Sequence, residues 1–472
     1  MSREVTDGLM AGWPPEAQTV IRLLRGQLAE LQAEVAALKV ELARQGKTPQ
    51  NSSLPPSTQH PHAKPVRAKS KSHKPRGGQP GHVKHERPLI PTDECDAVVP
   101  LKPTQCRRCG TKLSGNDPEP WRHQVYELPE IKPIVTEYQQ HRLSCPGCCE
   151  TTCAKLPPGV PTGQSGPKLI AFVALLMACF RQSKRRTSRF VTSLLNIPCC
   201  PALTVKHQAI ATQALQSAYA ELVAALPAQP HLNGDESPTK EGPVKSWLWT
   251  FVAGTFTVFA LRGSRAATAI SELLGETFAG VVSCDRAKMY WQCGRLQWCW
   301  THLKRDFQAL IDHPDHQVKR LGRDLMRPTK ELFRQWSRCR DGTLTRRGFE
   351  RLMQPIRQEI DSLLVRGAFS GNPRLTGMCW ELVDHRDWLW TFLEIDGIEP
   401  TNNAAERALR HAVSWRKLSF GTQSAAGSRF VETLLTTIET CRQQQRNVFE
   451  FVTQTVEAHF LSRTGPSLLP KA

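Results

Sequence analysis

Residues 228–311 change texture in an order that few folds accept. "QPHLNGDESPTK" carries Asp235 after a short β-rich run, and "KSWLWTFVAGTFTVFALRGS" holds two more such runs around Ala-Gly-Thr, a hairpin signal. "AATAISELLG" has helical period, "GVVSCDRAKMYW" is an apolar strand ending at Asp285, and "LQWCWTHLKRDFQAL" is a strand running into a basic amphipathic helix. Three strands, then helix, strand, helix, strand, helix predict a mixed α/β sheet of the ribonuclease-H type. The following stretch, to about residue 395, reads as helical ("VKRLGRDLMRPTKELFRQW", "FERLMQPIRQEIDSLLVRG") and forms an insertion of about 308–395 in this core.

Asp235 and Asp285 each lie near the end of a β-rich run, where open α/β sheets place their sites. A third acid, Glu406, stands in "IEPTNNAAERALR" at residues 398–410. Taken singly, each acid has a structural reading. Asp235 suits a turn in "NGDES", Asp285 can cap the next helix, and Glu406 completes a capping box with Asn403. Taken as a set, they suit phosphodiester chemistry. Two Mg2+ (or Mn2+) ions about 3.5–4 Å apart activate water and stabilise the leaving oxygen, and a few carboxylates suffice to hold them. In that reading Asp235 lies between the ions, while Asp285 and Glu406 each hold one flank.

The chain carries a net charge of +19 and a pI of about 9.5, which points to a polyanionic partner, with nucleic acid first. Of its 16 cysteines, seven fall between residues 95 and 153. "CRRCG" supplies Cys106 and Cys109, and "CPGC" supplies Cys145 and Cys148. Two Cys-x-x-Cys knuckles complete a tetrahedral site for one structural Zn2+, the mark of a zinc-ribbon-like module over residues 92–160. Cys149 and Cys153 are alternatives to Cys148 as fourth ligand, and redox-active thiols are the rival reading. The intervening "VYELPEIKPIVTEYQQHRL" has the composition of strands.

Ahead of this module, Ile21, Leu24, Leu28, Leu31, Val35, Leu38 and Leu42 form an a/d seam, which predicts a coiled coil over 18–45 and self-association. Residues 46–91 are a basic, flexible linker whose Lys74, Arg76 and Lys84 suit phosphate contacts. Residues 165–227 read as helices, either plainly packed or as a helix-turn-helix that meets DNA. Residues 228–425 are the core, and 426–462 a C-terminal helical segment. No apolar run spans a membrane and no signal core opens the chain, so the expected location is cytoplasmic.

The succession of zipper, "NSSLPPS", "RGGQPGH", paired Cys-x-x-Cys, "GDES", "SCDRAKMYW", "CWTHLKRDF", "NNAAERALR" and "RKLSFGTQSAAG" resembles the IS66 family of bacterial insertion-sequence transposases, over roughly residues 18–460. The resemblance implies a DDE transposase that binds terminal inverted repeats and joins 3′ ends to target DNA. It places the triad on Asp235, Asp285 and Glu406, and the zinc ligands on Cys106, Cys109, Cys145 and Cys148. It places the family's basic pair on Arg416 and Lys417, as DNA-phosphate contacts, and its polar pair on Asn402 and Asn403. Small accessory proteins of the same element are implied as partners. Arg407 and Arg410 have two readings, DNA contact or helix stabilisation. Arg286 replaces the family's glycine after the second aspartate, which sets a positive charge beside the site. The alternatives are a nuclease on the same core and a non-catalytic zinc- and zipper-bearing DNA-binding protein.

Overall fold

The computed structural model describes residues 12–45, 47–49, 51–52, 81–83 and 87–470, without the side chains of 36–45. The chain divides into two compact units, residues 62–134 and the remainder. No helix among the described residues is long and apolar enough to cross a membrane.

The first helix, α1 (Pro15–Gln45), follows the heptad pattern. Its described seam is bare from Leu24 on: Leu24, Leu28, Leu31 and Val35 are exposed, while Ile21 is half-buried. Unit 62–134 is held by few contacts, such as the Ile90 N–H donating to Gln124 Oε1 at 3.0 Å and the Arg87 guanidinium over the Tyr126 ring at 4.3 Å. No residue from 87 to 160 is buried. The strands expected over residues 125–141 do not form. β-propensity needs a partner strand and a face to pack on. Pro129 and Pro133 also remove ladder donors there. β1 (Arg142–Ser144) and β2 (Thr151–Cys153) pair, antiparallel, on either side of the second Cys-x-x-Cys, and a single antiparallel bridge joins Gln105 to Lys112 across the first.

Three helices follow: α2 (Pro167–Ala178), α3 (Lys184–Leu195) and α4 (Pro201–Ala225). α2 is almost wholly apolar and packs on α4, while α3 shows Lys184, Arg185, Arg186 and Arg189 to solvent.

The central sheet has five strands: β3 (His231–Glu241), β4 (Val244–Val252), β5 (Thr257–Arg262), β6 (Val281–Cys284) and β7 (Leu296–Trp298). Their spatial order is β5-β4-β3-β6-β7, antiparallel through the first three and parallel from β3 to β7. Helix α5 (Ala267–Leu274) joins β5 to β6. The strand carrying Asp235 is longer than the sequence suggested and runs through Pro238. Proline is tolerated because β6 pairs only with His231–Asn233, and the next backbone bridge on that edge, to Thr422, comes at Glu241.

The outer strand β5 is covered rather than left open. Its outward N–H groups at Thr257, Phe259 and Leu261 donate to Thr440 Oγ1, Thr436 Oγ1 and Glu432 Oε1 of α12 (Ala425–Gln443), at 3.1, 2.9 and 2.5 Å. Four helical residues rise about 6 Å and two strand residues about 6.8 Å, so alternate strand donors meet every fourth helix residue. This helix side thereby caps an aggregation-prone edge.

Burial lifts the Glu432 carboxyl to about 7, against the pull of the Leu261 N–H, Arg429 and Arg262. A raised carboxyl favours the folded state while protonated, so its contribution is full below about 4.5 and lost as pH rises through about 7. Glu432→Gln keeps the acceptor for Leu261 and removes the titration. Urea unfolding of both proteins from pH 4.5 to 8 should show the wild type losing roughly 3 kcal/mol that the variant retains. Parallel pH profiles would refute this account.

After β7 comes α6 (Trp300–Ile311), then α7 (His316–Arg340), α8 (Arg346–Ala368), α9 (Pro373–Asp384) and α10 (Asp387–Glu394). These helices return to the sheet at its β7 edge. The Phe392 N–H donates to the buried Gln297 Oε1 at 2.7 Å, and Trp300 Nε1 donates to the Leu389 carbonyl at 2.7 Å. Helix α11 (Asn403–Ser419) then lies against β3 and β4, and α13 (Val448–Phe460) packs on α2 and α4.

Candidate functional site

The register of β3 and β6 does what sequence spacing could not. Asn233 is opposite Ser283 in a parallel pair. Asp235 and Asp285 each lie two residues further on, so neighbouring chains carry them to one level and one side. Asp285 sits just past the strand, where its Oδ1 accepts the Ala287 N–H at 2.9 Å. Asp235 Oδ1 accepts the Glu236 N–H, also at 2.9 Å.

Glu406 arrives from α11. The segment before it is pinned at both sides: the Trp300 N–H donates to the Pro400 carbonyl at 2.9 Å, and buried Asn402 donates through Nδ2 to the Gly234 carbonyl at 2.9 Å. The Asn402 N–H also points to Cys299 Sγ at 3.4 Å. The expected capping box is absent. Asn402, not Asn403, is the N-cap, and its side chain makes no cap bond. The Glu406 N–H donates to the Asn402 carbonyl, and its Oε1 faces Arg305 Nη2 at 3.4 Å and His302 Nδ1 at 3.7 Å. The carboxylate is thus turned into the site rather than back to the helix start.

The three acids share one electrostatic environment. Burial pushes the Asp235 carboxyl well above its ordinary range, and the charges of Glu236, Asp285 and Glu406 push it further. Like charges gathered in a partly dry site are unstable unless a cation joins them. Glu236, which sequence reasoning passed over, is a fourth acid here. Burial and Asp285 raise its carboxyl, while Tyr290 Oη donates to it at 2.7 Å and Arg265 lies at 2.5 Å. The Gly234 position is equally close-packed, since a Cβ there would stand 3.0 Å from the Tyr290 ring.

Arg286 does not leave a free charge beside the acids. Its guanidinium pairs with Asp306 and Glu381, each at 3.0 Å, and so ties the loop after Asp285 to α6 and α9. Arg416 is likewise engaged: it donates to Ser237 Oγ at 2.8 Å and to the Pro238 carbonyl, fastening α11 to the free edge of β3. Lys417, Arg407 and Arg410 are exposed. Lys74, Arg76 and Lys84 lie outside the described residues.

The two Cys-x-x-Cys turns repeat one geometry. The Cys106 N–H donates to the Thr111 carbonyl at 2.8 Å, and the Gly110 N–H donates back to the Cys106 carbonyl at 2.9 Å. In the second turn the Cys145 N–H donates to Glu150 at 2.8 Å, and the Cys149 N–H to Cys145 at 2.9 Å. Gly110 and Cys149 therefore occupy equivalent places, both left-handed, with φ of +73° and +60°. Cys149 is the turn residue, and Cys148 matches Cys109. Cys153 is taken into β2. Hydrogen bonds from Thr111 lower the Cys109 thiol to about 7, and backbone N–H groups of Cys148 and Gly147 lower Cys145, so both lean toward thiolate.

Residues 162–429, more than half of the chain, match the transposase IS66 family. The chain belongs to the IS66 transposase family. Residues 103–149 of this IS66 member match the zinc-finger binding domain of transposase IS66, and residues 11–88 match a family of unknown function. An uncharacterized protein of Sinorhizobium fredii, y4qI, is 24% identical over 251 residues, covering 47% of this chain and 45% of that protein. The chain thus spans less than half the length of that relative.

Proposed function

We propose that this IS66-family protein is a DNA transposase with a ribonuclease-H-like core, acting through Asp235, Asp285 and Glu406. One observation carries the reading: acids from two adjacent parallel strands and from a distant helix converge, and the Asp235 carboxyl is raised first by burial and then by the neighbouring charges. The sheet order β5-β4-β3-β6-β7 supports the core assignment.

An excess of carboxylate with buried, rigid supports fits divalent metal, so these three residues would hold Mg2+ or Mn2+. When bound, the ions supply charge stabilisation and an activated water for phosphodiester cleavage. The chain's own part is to fix the acids. Asn402 locks the start of α11 to β3, Arg416 locks its end, and Arg286 steadies the loop behind Asp285. In this function the exposed basic face of α3, together with Arg407, Arg410 and Lys417, holds the terminal inverted repeats and target DNA. Cys106, Cys109, Cys145 and Cys148 hold one structural zinc; the matching turns support Cys148 as fourth ligand. The bare seam of α1 joins two protomers, since two DNA ends must be paired. Small accessory proteins of the element are the partners that the family membership implies.

The test is strand transfer on DNA carrying the element's own ends, with wild type beside Glu406→Gln. Wild type should join ends, and the variant should bind them without joining. Equal joining by both would remove Glu406 from the chemistry. Cleavage without joining by the wild type would instead make the protein a nuclease.

A further inference from the structure

His302 stands in the first turn of α6, after Cys299 in "CWTH", and the function proposed above gives it no role. Its Nδ1 is buried and has no hydrogen-bond partner among the described residues. It faces Glu406 Oε1 at 3.7 Å, beyond hydrogen-bond range. Two donors that each stand about 2.1 Å from one cation are about 3–3.5 Å apart, so this gap is close to that of a shared ion. Cys299 Sγ, a His302 ring nitrogen and a Glu406 oxygen all lie within 4.8 Å of one another. The sulfur is occupied, since it accepts the Asn402 N–H and is sealed from solvent. What remains is an imidazole nitrogen without a partner and a carboxylate oxygen whose partner is the Arg305 guanidinium, both aimed at the same space. Arg305 Nη2, 3.4 Å from the same oxygen, opposes a cation and must swing aside when one enters.

We propose that His302 Nδ1 is a ligand to the divalent cation held by Glu406, and that this flank of the site selects first-row transition-metal ions over Mg2+. The proposal rests on the three-carboxylate reading above. Mg2+ takes oxygen donors and keeps its waters, whereas an imidazole nitrogen adds affinity for transition-metal ions. A neutral histidine that merely packs against the glutamate would give no such preference.

Mn2+ is the probe, added to the full-length protein after its cysteine turns have been filled with zinc. Pulsed paramagnetic resonance reads nitrogen bonded directly to Mn2+, without any need for turnover. The wild type should show that nitrogen coupling, and His302→Gln should lose it and bind Mn2+ on the order of tenfold more weakly. Binding of Mg2+, read by competition, should be unchanged. His302→Ala with free imidazole should recover the coupling, which separates ligand loss from misfolding. Mn2+ bound to the wild type without nitrogen coupling, or coupling that persists in His302→Gln, overturns the proposal and leaves Glu406 as a ligand. Unaltered Mn2+ binding by Glu406→Gln overturns the three-carboxylate reading itself.

Discussion

Asp235→Asn should abolish end joining, by on the order of 1,000-fold or more, and yet give a more stable protein in metal-free buffer. The two effects have one cause. Burial and the charges of Glu236, Asp285 and Glu406 raise the Asp235 carboxyl well above its ordinary range. A carboxyl raised by folding stabilises the fold only while protonated, so metal-free wild type loses stability as pH climbs above about 4. Asparagine keeps the shape and has nothing to ionise. Thermal unfolding in chelator at pH 5 and pH 8 should show a gap between variant and wild type that widens at the higher pH. Added Mg2+ should then stabilise the wild type and leave the variant nearly unmoved. A variant less stable than wild type at pH 8, or one that still joins ends, would show that Asp235 is an ordinary structural acid.

Under the proposed function, Cys109→Ser and Cys148→Ser should each abolish zinc binding and unfold the module, whereas Cys149→Ser should keep its zinc. No residue between 87 and 160 is buried, and Trp121, Val125, Leu128 and Ile134 stand in solvent. A segment with so little core depends on other links. Structural zinc contributes apparent binding energies of about 10–16 kcal/mol, far more than such a segment gains from packing. Metal content by mass spectrometry and limited proteolysis between residues 87 and 160 read both effects. If Cys149→Ser loses zinc while Cys148→Ser retains it, the equivalence of Gly110 and Cys149 has been misjudged.

Much of the core was legible because alternating and helical periods are local properties. The strand and helix order from β3 to α6 follows the sequence reading except between β6 and β7, where a six-residue 3-10 turn (Lys288–Cys293) stands in place of the expected helix, and the helices after α6 follow it too. What escaped were the facts that neighbours decide. Pro238 and "NGDES" look like the end of a strand, but the edge between Asn233 and Glu241 has no ladder to break. Asn403 and Glu406 have capping-box spacing, yet Asn402 is spent on the Gly234 carbonyl and the helix begins without that box. Thr436 and Thr440 are weak helix formers, and only the presence of β5 explains them. Residues 125–141 have strand composition without a strand to join. For the candidate site, the acids could be named from sequence, but their meeting depends on a parallel register that spacing does not encode. Glu236, Tyr290, Arg265 and His302 carried no signal beyond their place beside those acids.

The order of the acids along the chain also bears on the life of the gene. Glu406 lies 121 residues beyond Asp285, and the segment that seats it is pinned only after the chain has returned to the sheet through α10. Under the proposed function, a polypeptide that stops between Asp285 and Glu406 still carries the basic arm, both cysteine turns, the helices facing DNA and two of the three acids. It would occupy an element's ends without cutting them. Premature stops and frameshifts between the codons for Asp285 and Glu406 would therefore create competitors of the intact protein, so that a genome accumulating broken copies restrains the whole ones.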